Sequence, residues 1–270
     1  MKFGIGQPIV RVEDNRLLTG NGLYTDDISF ENQAYMYVVR SPHANAKILD
    51  VNISEALNIT GLIKIINWKD IKKLSINNMK TTFLVKNKDG NEMVNTPRHI
   101  LAKQYVRYVG DPILAIIADS LEIAESVAEK IIIDYEEFDS VTNISSAIHN
   151  DVVSVRNEVS NNICFDWELG EKESTLKEIN SSAHKINIEL INNRLVPNPM
   201  ECRSTIGIYD DNNDEYTLYC SSQGVHSLKR KLSSIFNKTE DKIHVITKDV
   251  GGGFGMKIFN YPEYILTLAA

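Results

Sequence analysis

A glycine-rich segment near the end of the sequence holds the residues best suited to bind a ligand. Residues 251–255 read Gly-Gly-Gly-Phe-Gly. They follow a predicted strand over residues 242–250 and precede a predicted helix over residues 261–270. Glycine permits positive φ and leaves main-chain N–H groups uncovered, so this loop can hold an anionic or oxygen-bearing group. The pattern alone is weak, because a structural turn explains it equally well.

The spacing around this glycine loop, residues 251–255, differs from that of the common nucleotide-binding loops. Lys257 lies at the wrong spacing for a Walker loop and is followed by Ile258 instead of serine or threonine. The glycines at 251, 253 and 255 are one residue too tight for the dinucleotide fingerprint. A nucleotide-binding module stays open as an alternative, and it requires a ribose-binding acid after the loop.

Composition narrows the class of protein. The chain has 270 residues, 43% of them hydrophobic, which is enough for one large domain or two ordinary ones. Its net charge of -7 argues against nucleic-acid and anionic-membrane partners. No stretch approaches the length of an apolar membrane span, and the first residues contain no apolar run of signal-peptide length, so we expect a cytoplasmic protein. The three cysteines are widely spaced, and we expect reduced, mostly buried thiols and no metal site.

Apolar patterns predict both strands and helices around the loop. In the first half the clearest unit is a strand over residues 113–118, a helix capped by Ser120, and a strand over residues 131–135. Together they predict a β-α-β crossover. The remaining predicted strands of this half cover residues 33–40, 48–53 and 62–66, with short helices at 55–57 and from Trp68.

In the second half, a helix is predicted over residues 225–236. The predicted strands cover residues 183–191, 204–209, 216–221 and 242–250. Glu201 and Arg203 alternate along one strand face, so we expect them to form a structural ion pair.

Several motifs together resemble the large, cofactor-binding subunit of the molybdenum hydroxylases, the superfamily of xanthine dehydrogenase, aldehyde oxidase and aerobic carbon monoxide dehydrogenase. The Ser222-Gln223-Gly224 stretch, followed by Gly-Gly-Gly-Phe-Gly-Met-Lys at 251–257, matches the family's S-S-Q and G-G-G-F-G motifs. Residues 198–203 resemble P-M-E-x-R, with a departure at Cys202. Other stretches agree in family order, at residues 5–8, 20–27, 40–48 and 108–113.

The resemblance implies an α+β fold. It places an extended N-terminal arm at residues 1–19 and an a/b hammerhead domain at 20–140. A linker then follows at 141–182, and residues 183–270 form the first part of a mixed α/β molybdopterin-binding domain. The last predicted helix carries no polar cap, so we expect the sequence to be a truncated, N-terminal fragment.

The resemblance also implies roles for individual residues. Gln223 is expected to donate its amide hydrogens to an oxo ligand of molybdenum. Main-chain N–H groups of the loop are expected to contact the cofactor, and Phe254 is a candidate wall of the substrate cavity, although a core aromatic stays open. The expected catalytic residues are thus Gln223 and Phe254, and the expected cofactor-binding residues are Gln223, Gly252, Gly253, Phe254 and Gly255. Ile258 stands where xanthine-type members carry a purine-binding glutamate.

Members of this family hydroxylate an aldehyde, an N-heterocycle or a related small molecule, or oxidise carbon monoxide, with oxygen derived from water. The resemblance implies molybdenum-molybdopterin in its cytosine dinucleotide form and leaves copper open. It also implies an iron–sulfur small subunit and an FAD medium subunit in a dimer of heterotrimers. The family's catalytic glutamate falls beyond residue 270, so the fragment itself is expected to be inactive. The alternative is a non-catalytic remnant that docks to partner subunits.

Overall fold

The computed structural model describes residues 4–81, 83–149 and 151–270, so predictions for residues 1–3, 82 and 150 lie outside the described residues. The chain divides into two compact units. One contains residues 34–196, and we call it the central unit. The other combines the N-terminal residues up to Gln33 with residues 197–270, and we call it the terminal unit. Each unit has its own sheets and core.

Helices and strands alternate irregularly along the chain, as in an α+β protein. The strands are β1 (Tyr35–Arg40), β2 (Ala46–Asn52), β3 (Leu62–Ile66), β4 (Tyr105–Val106), β5 (Pro112–Ala118), β6 (Ile132–Glu137), β7 (Thr205–Asp210), β8 (Glu215–Cys220) and β9 (Ile243–Ile246). The helices are α1 (Asp14–Leu18), α2 (Trp68–Lys73), α3 (Leu121–Glu129), α4 (Ile144–Ala147), α5 (Lys172–Ser181), α6 (Val225–Phe236) and α7 (Pro262–Ala269).

The central unit contains two three-stranded antiparallel sheets. One has the order β1-β5-β3 and the other the order β4-β2-β6. Every residue of β5 is buried, which agrees with the continuous apolar run of this strand. Helix α3 begins at the predicted cap, where the Ser120 hydroxyl accepts a hydrogen bond from the Ile123 N–H, and buries Ala124 and Val127.

The predicted β-α-β crossover is wrong, although its three elements form in the predicted order. Strand β5 is the middle strand of its sheet and pairs with β1 and β3, whereas β6 pairs with β2 in the other sheet. The two strands also differ in burial: β5 is buried on both faces, while β6 alternates between exposed and half-buried residues. Local periodicity predicts each strand, but long-range pairing decides which sheet it joins.

In the terminal unit, one sheet of order β7-β8-β9 packs against helices α6 and α7. Strands β7 and β8 form an antiparallel hairpin, and β9 runs parallel to β8. Gly207 of β7 lets α7 approach closely, because a Cβ there would lie 2.4 Å from the Thr267 carbonyl oxygen. Helix α6 covers its predicted residues and buries Leu228, Leu232 and two further apolar side chains.

The predicted strand over residues 242–250 ends at Ile246, because the following segment pairs with the N-terminal residues instead of β8. The Asp249 carboxylate accepts a hydrogen bond from the Leu23 N–H at 2.8 Å and forms a short ion pair with Arg16. In return, the Asp249 N–H donates to the Leu23 carbonyl at 3.0 Å. Arg16 lies on α1, which occupies the end of the predicted arm.

The predicted strand at residues 183–191 does not form. These residues have no strand partner among the described residues, and their apolar side chains are largely exposed. A strand pattern requires a neighbouring strand to satisfy its main-chain groups, and sequence periodicity cannot supply one. Residues 141–182 include α4 and α5, and main-chain hydrogen bonds join Val94 to Cys164 and Lys88 to Asp166. The predicted domain limits stay predictions.

Truncating a buried side chain in the core of the central unit should leave a cavity and destabilise the protein. Ile116 of β5 is fully buried, so Ile116→Ala is expected to lower the free energy of unfolding by about 2–5 kcal/mol. Urea denaturation followed by tryptophan fluorescence measures this change, since Trp68 and Trp167 both lie in this unit. The exposed substitution Ile63→Ala on β3 is the control and should cost much less. Equal costs for the two variants would contradict the described core.

The three thiols differ in exposure, so the expectation that they are mostly buried is wrong. Cys220 is buried, Cys164 is partly exposed and Cys202 is exposed. Burial raises the pKa of the Cys220 thiol to about 12. Iodoacetamide at pH 8 should therefore label Cys202 rapidly and leave Cys220 unmodified until the protein unfolds, as peptide mass spectrometry would reveal. Labelling of native Cys220 at the Cys202 rate would contradict this prediction.

Candidate cofactor-binding site

The predicted glutamine and the glycine loop are in direct contact. The Gln223 side-chain carbonyl oxygen, Oε1, accepts hydrogen bonds from the main-chain N–H groups of Gly255 and Lys257, both at 3.1 Å. The Gln223 N–H donates to the Lys257 carbonyl at 3.0 Å. These bonds determine the orientation of the amide, because its oxygen must face the two donors. Its nitrogen, Nε2, has no acceptor among the described residues and can donate to a ligand.

The absence of a side chain at Gly253 makes this contact possible. A Cβ at Gly253 would lie 2.5 Å from Gln223 Oε1 and 2.6 Å from Gln223 Cδ, closer than real Cβ atoms approach. Glycine at this position is therefore required by the glutamine, independently of backbone angle. The strand-to-helix loop and the S-S-Q motif, separated by nearly thirty residues, form one structural feature.

Main-chain N–H groups in the loop fall into two sets. Gly251 donates to the Glu201 carboxylate at 2.8 Å, and Gly255 donates to Gln223. The N–H groups of Gly252, Gly253 and Phe254 have no acceptor within the described parts of the chain. Gly253 is itself buried, and a buried N–H without an acceptor is costly unless a ligand or water meets it. The Gly255 N–H already donates to Gln223, and the expected contact of Gly255 with a cofactor stays a prediction.

Phe254 adopts an unusual backbone conformation and is largely exposed. Its φ is 48°, in the left-handed region that residues with a side chain rarely occupy. Its side chain is 72% exposed, so it is no core aromatic in this structure. Gly252 and Gly255 flank it with φ of 95° and 86°. Positive φ at residues 252, 254 and 255 turns the backbone sharply within the loop.

A buried ion pair below the loop was not predicted from the sequence. The Lys257 ammonium, which is fully buried, lies 2.7 Å from the Glu201 carboxylate. The expected Glu201–Arg203 pair is wrong, since the Arg203 guanidinium instead stacks on the Tyr261 ring at 3.6 Å. A cation–π contact of this kind is typical of arginine. Nothing in the local sequence shows that Lys257 is buried. A buried ammonium requires an acidic partner, whereas an exposed one does not, so the pair could not be predicted.

Two domain families match the chain. Residues 19–139 match the family described as the aldehyde oxidase and xanthine dehydrogenase a/b hammerhead domain. Residues 155–270 match the family described as the molybdopterin cofactor-binding domain. A hammerhead domain followed by a molybdopterin-binding domain defines a class of molybdenum-dependent oxidoreductase subunits. The α+β fold expected from the sequence is confirmed.

Named relatives support this class. The chain is 30% identical over 97% of its length to the nicotine 6-hydroxylase large subunit of Paenarthrobacter nicotinovorans, covering 31% of it. It is 27% identical over 99% of its length to the carbon monoxide dehydrogenase large chain of Afipia carboxidovorans, covering 33% of it. Quinoline 2-oxidoreductase from Pseudomonas putida 86 superimposes with a TM-score of 0.86 at 27% identity, over 99% of this chain and 33% of that one.

The chain belongs to the molybdenum hydroxylase large-subunit family, and the resemblance drawn from its motifs is confirmed. It spans about a third of the length of the curated relatives it matches. Within residues 4–81, 83–149 and 151–270, no group of three or more His, Cys, Asp and Glu side chains is arranged to hold a metal ion. No helix in the described residues has the length and apolar character needed to cross a membrane.

The close contact at Gly253 leads to a stability prediction. Gly253→Ala should displace the Gln223 side chain, break its two hydrogen bonds and lower the free energy of unfolding by about 1–3 kcal/mol. Gly224→Ala is a matched control, because a Cβ there would meet nothing closer than 3.8 Å. Urea denaturation monitored by circular dichroism compares the two variants. A Gly253→Ala variant as stable as Gly224→Ala would contradict the described packing.

Proposed function

We propose that this chain forms part of the cofactor-binding region of a molybdenum hydroxylase. Such an enzyme hydroxylates an aldehyde, an N-heterocycle or a related small molecule, or oxidises carbon monoxide, with oxygen derived from water. The observation that carries the proposal is the orientation of Gln223. Its carbonyl oxygen is held by two main-chain donors, which leaves the amide nitrogen free to donate to a ligand.

The residues around the loop fit a cofactor that bears oxygen ligands. Four donors lack acceptors in the described chain: the Gln223 amide nitrogen and the N–H groups of Gly252, Gly253 and Phe254. Hydrogen-bond donors fixed before binding stabilise negative charge on oxygen more effectively than donors that must reorient. Gln223 and residues 252–255 would thus hold the molybdenum-molybdopterin. When bound, this cofactor supplies the two-electron oxidation, and the chain supplies orientation and electrostatic stabilisation.

Exposed apolar residues near the loop support a small apolar or aromatic substrate. Phe254 is largely exposed and would form one wall of the substrate cavity. Ile258 is 54% exposed and offers no carboxylate to bind a purine. We therefore favour an aldehyde, an N-heterocycle or carbon monoxide over xanthine. The named relatives include a nicotine hydroxylase, a quinoline oxidoreductase and a carbon monoxide dehydrogenase, so their names include both N-heterocycles and carbon monoxide.

The active enzyme requires more than these 270 residues. Glu201, the carboxylate beside the loop, is buried, and its Oε2 accepts from Lys257 and Gly251, so it is not placed to act as a base toward a substrate. We propose that the general base is supplied by chain beyond this sequence, and that the 270 residues alone are inactive. Iron–sulfur and FAD subunits, a dimer of heterotrimers, the cytosine dinucleotide form of the cofactor and an additional copper ion belong to the same proposal.

A docking segment without activity is a second candidate, and exposed apolar side chains favour it. Residues 183–196 expose several large apolar side chains and have no strand partner among the described residues, a pattern typical of chain that is covered by other polypeptide. The exposed members include Ile186, Ile188 and Leu190. Such a segment would contribute to folding and assembly without binding a cofactor. Metal content separates the two candidates.

Metal and pterin analysis of the full-length subunit, purified with its neighbours, tests the proposed function. We expect molybdenum and a pterin in the wild type. Gln223→Ala is expected to lower kcat by roughly 100-fold or more, because a fixed donor to developing negative charge is lost. Gln104→Ala, an exposed glutamine of the central unit, is the control and should keep full activity. A wild-type preparation without molybdenum and pterin would reject the proposal in favour of the docking segment.

A further inference from the structure

The buried ion pair between Glu201 and Lys257 has a geometry that suggests more than a contribution to stability. We propose that this pair positions the glycine loop and Gln223 for cofactor binding. The proposal assigns two positioning residues and rests on the proposed function. Neither residue needs to touch the cofactor, because each acts through the groups that would.

Lys257 connects two parts of the terminal unit through its two ends. Its ammonium donates to the Glu201 carboxylate oxygen Oε2 at 2.7 Å and to the Glu201 carbonyl at 3.0 Å. Its main-chain N–H and carbonyl both bond to Gln223. The side chain therefore anchors the same peptide groups that determine the orientation of the glutamine amide.

Glu201 holds the opposite end of the glycine loop. The oxygen that accepts from Lys257 also accepts from the Gly251 N–H at 2.8 Å, and the Glu201 N–H donates to the Gly251 carbonyl at 3.2 Å. A Cβ at Gly251 would lie 2.5 Å from the Glu201 Cβ, so the contact depends on glycine. One carboxylate oxygen thus connects both ends of the loop, which leaves residues 252–254 as the span between two fixed points.

The arrangement is poorly suited to a purely stabilising role. Buried ion pairs lose much of their attraction to the cost of removing both charges from water, so a well-packed apolar pair is often as stable. Here the second carboxylate oxygen of Glu201, Oε1, is buried and has no partner among the described residues. Charge-assisted hydrogen bonds are, however, short and directional, which suits them to fix a loop geometry.

Hydrogen exchange in the cofactor-free, full-length subunit tests this role directly. Lys257→Met removes the ammonium and keeps the main-chain groups that bond to Gln223. We expect the amides of residues 255 and 257 to exchange about tenfold faster or more, the effect of losing a charge-assisted hydrogen bond. Amides of β7, β8 and α6 should exchange at the wild-type rate. Asp214→Asn, which alters the partly exposed Lys238–Asp214 pair, is the control and should leave residues 255 and 257 unchanged.

A charge-neutral double variant, Glu201→Gln with Lys257→Met, separates positioning from charge balance. It also carries the test if Lys257→Met alone fails to fold with an unpaired buried carboxylate. We expect exchange at residues 255 and 257 to stay fast, because methionine cannot donate to residue 201. Wild-type exchange rates in the double variant would overturn the proposal, because charge balance alone would then be enough to keep the loop ordered. Uniformly faster exchange across the terminal unit would also overturn it, as a sign of a global effect.

Cofactor retention links the pair to function. In the assembled enzyme we expect the double variant to retain several-fold less molybdenum after gel filtration than the Asp214→Asn control. The remaining Mo(V) electron paramagnetic resonance signal should have altered g-values, because the donors around the metal are displaced. Full retention with an unchanged signal would overturn the role. A wild type without molybdenum would reject the proposed function, whereas the exchange result tests the loop geometry independently of it.

Discussion

Two hydrogen bonds to one side-chain oxygen determine how the candidate site is arranged. Gln223 Oε1 accepts from the main chain at Gly255 and Lys257, and this contact exists only because Gly253 has no side chain. The amide group cannot rotate without losing both donors. Its nitrogen is therefore held in a single orientation before any ligand arrives, as required of a group that stabilises charge on a bound oxygen.

Without a ligand, the glycine loop keeps two energetically unfavourable features. Phe254 occupies a left-handed conformation, which disfavours the loop by an amount on the order of 1 kcal/mol, and the buried N–H of Gly253 has no acceptor in the described chain. Such features persist only where surrounding contacts over-determine the backbone. Here the surrounding contacts are those of Glu201 and Lys257, which hold both ends of the loop. A ligand that accepts from the free donors would remove part of this cost.

The terminal unit joins residues far apart in the sequence. Asp249, just before the glycine loop, bonds to Arg16 and Leu23 near the beginning of the chain. Gly251 bonds to Glu201, fifty residues earlier. The loop is thus fixed by contacts of large sequence separation, and its geometry is a property of the folded unit. A short peptide with the same glycines would lack the donors and acceptors that shape it.

Sequence alone determined the class of this protein, most of its strands and helices, and the association of Gln223 with the glycine loop. Those features depend on local periodicity, on capping residues such as Ser120, and on motifs whose residue types are required by the chemistry. Only the tertiary structure decided that β5 and β6 belong to different sheets, that Arg203 stacks on Tyr261, and that Lys257 pairs with Glu201. Pairing and burial arise from contacts between distant segments. The energy of a buried charge or an unpaired donor is therefore set by the folded environment, which no stretch of neighbouring residues encodes.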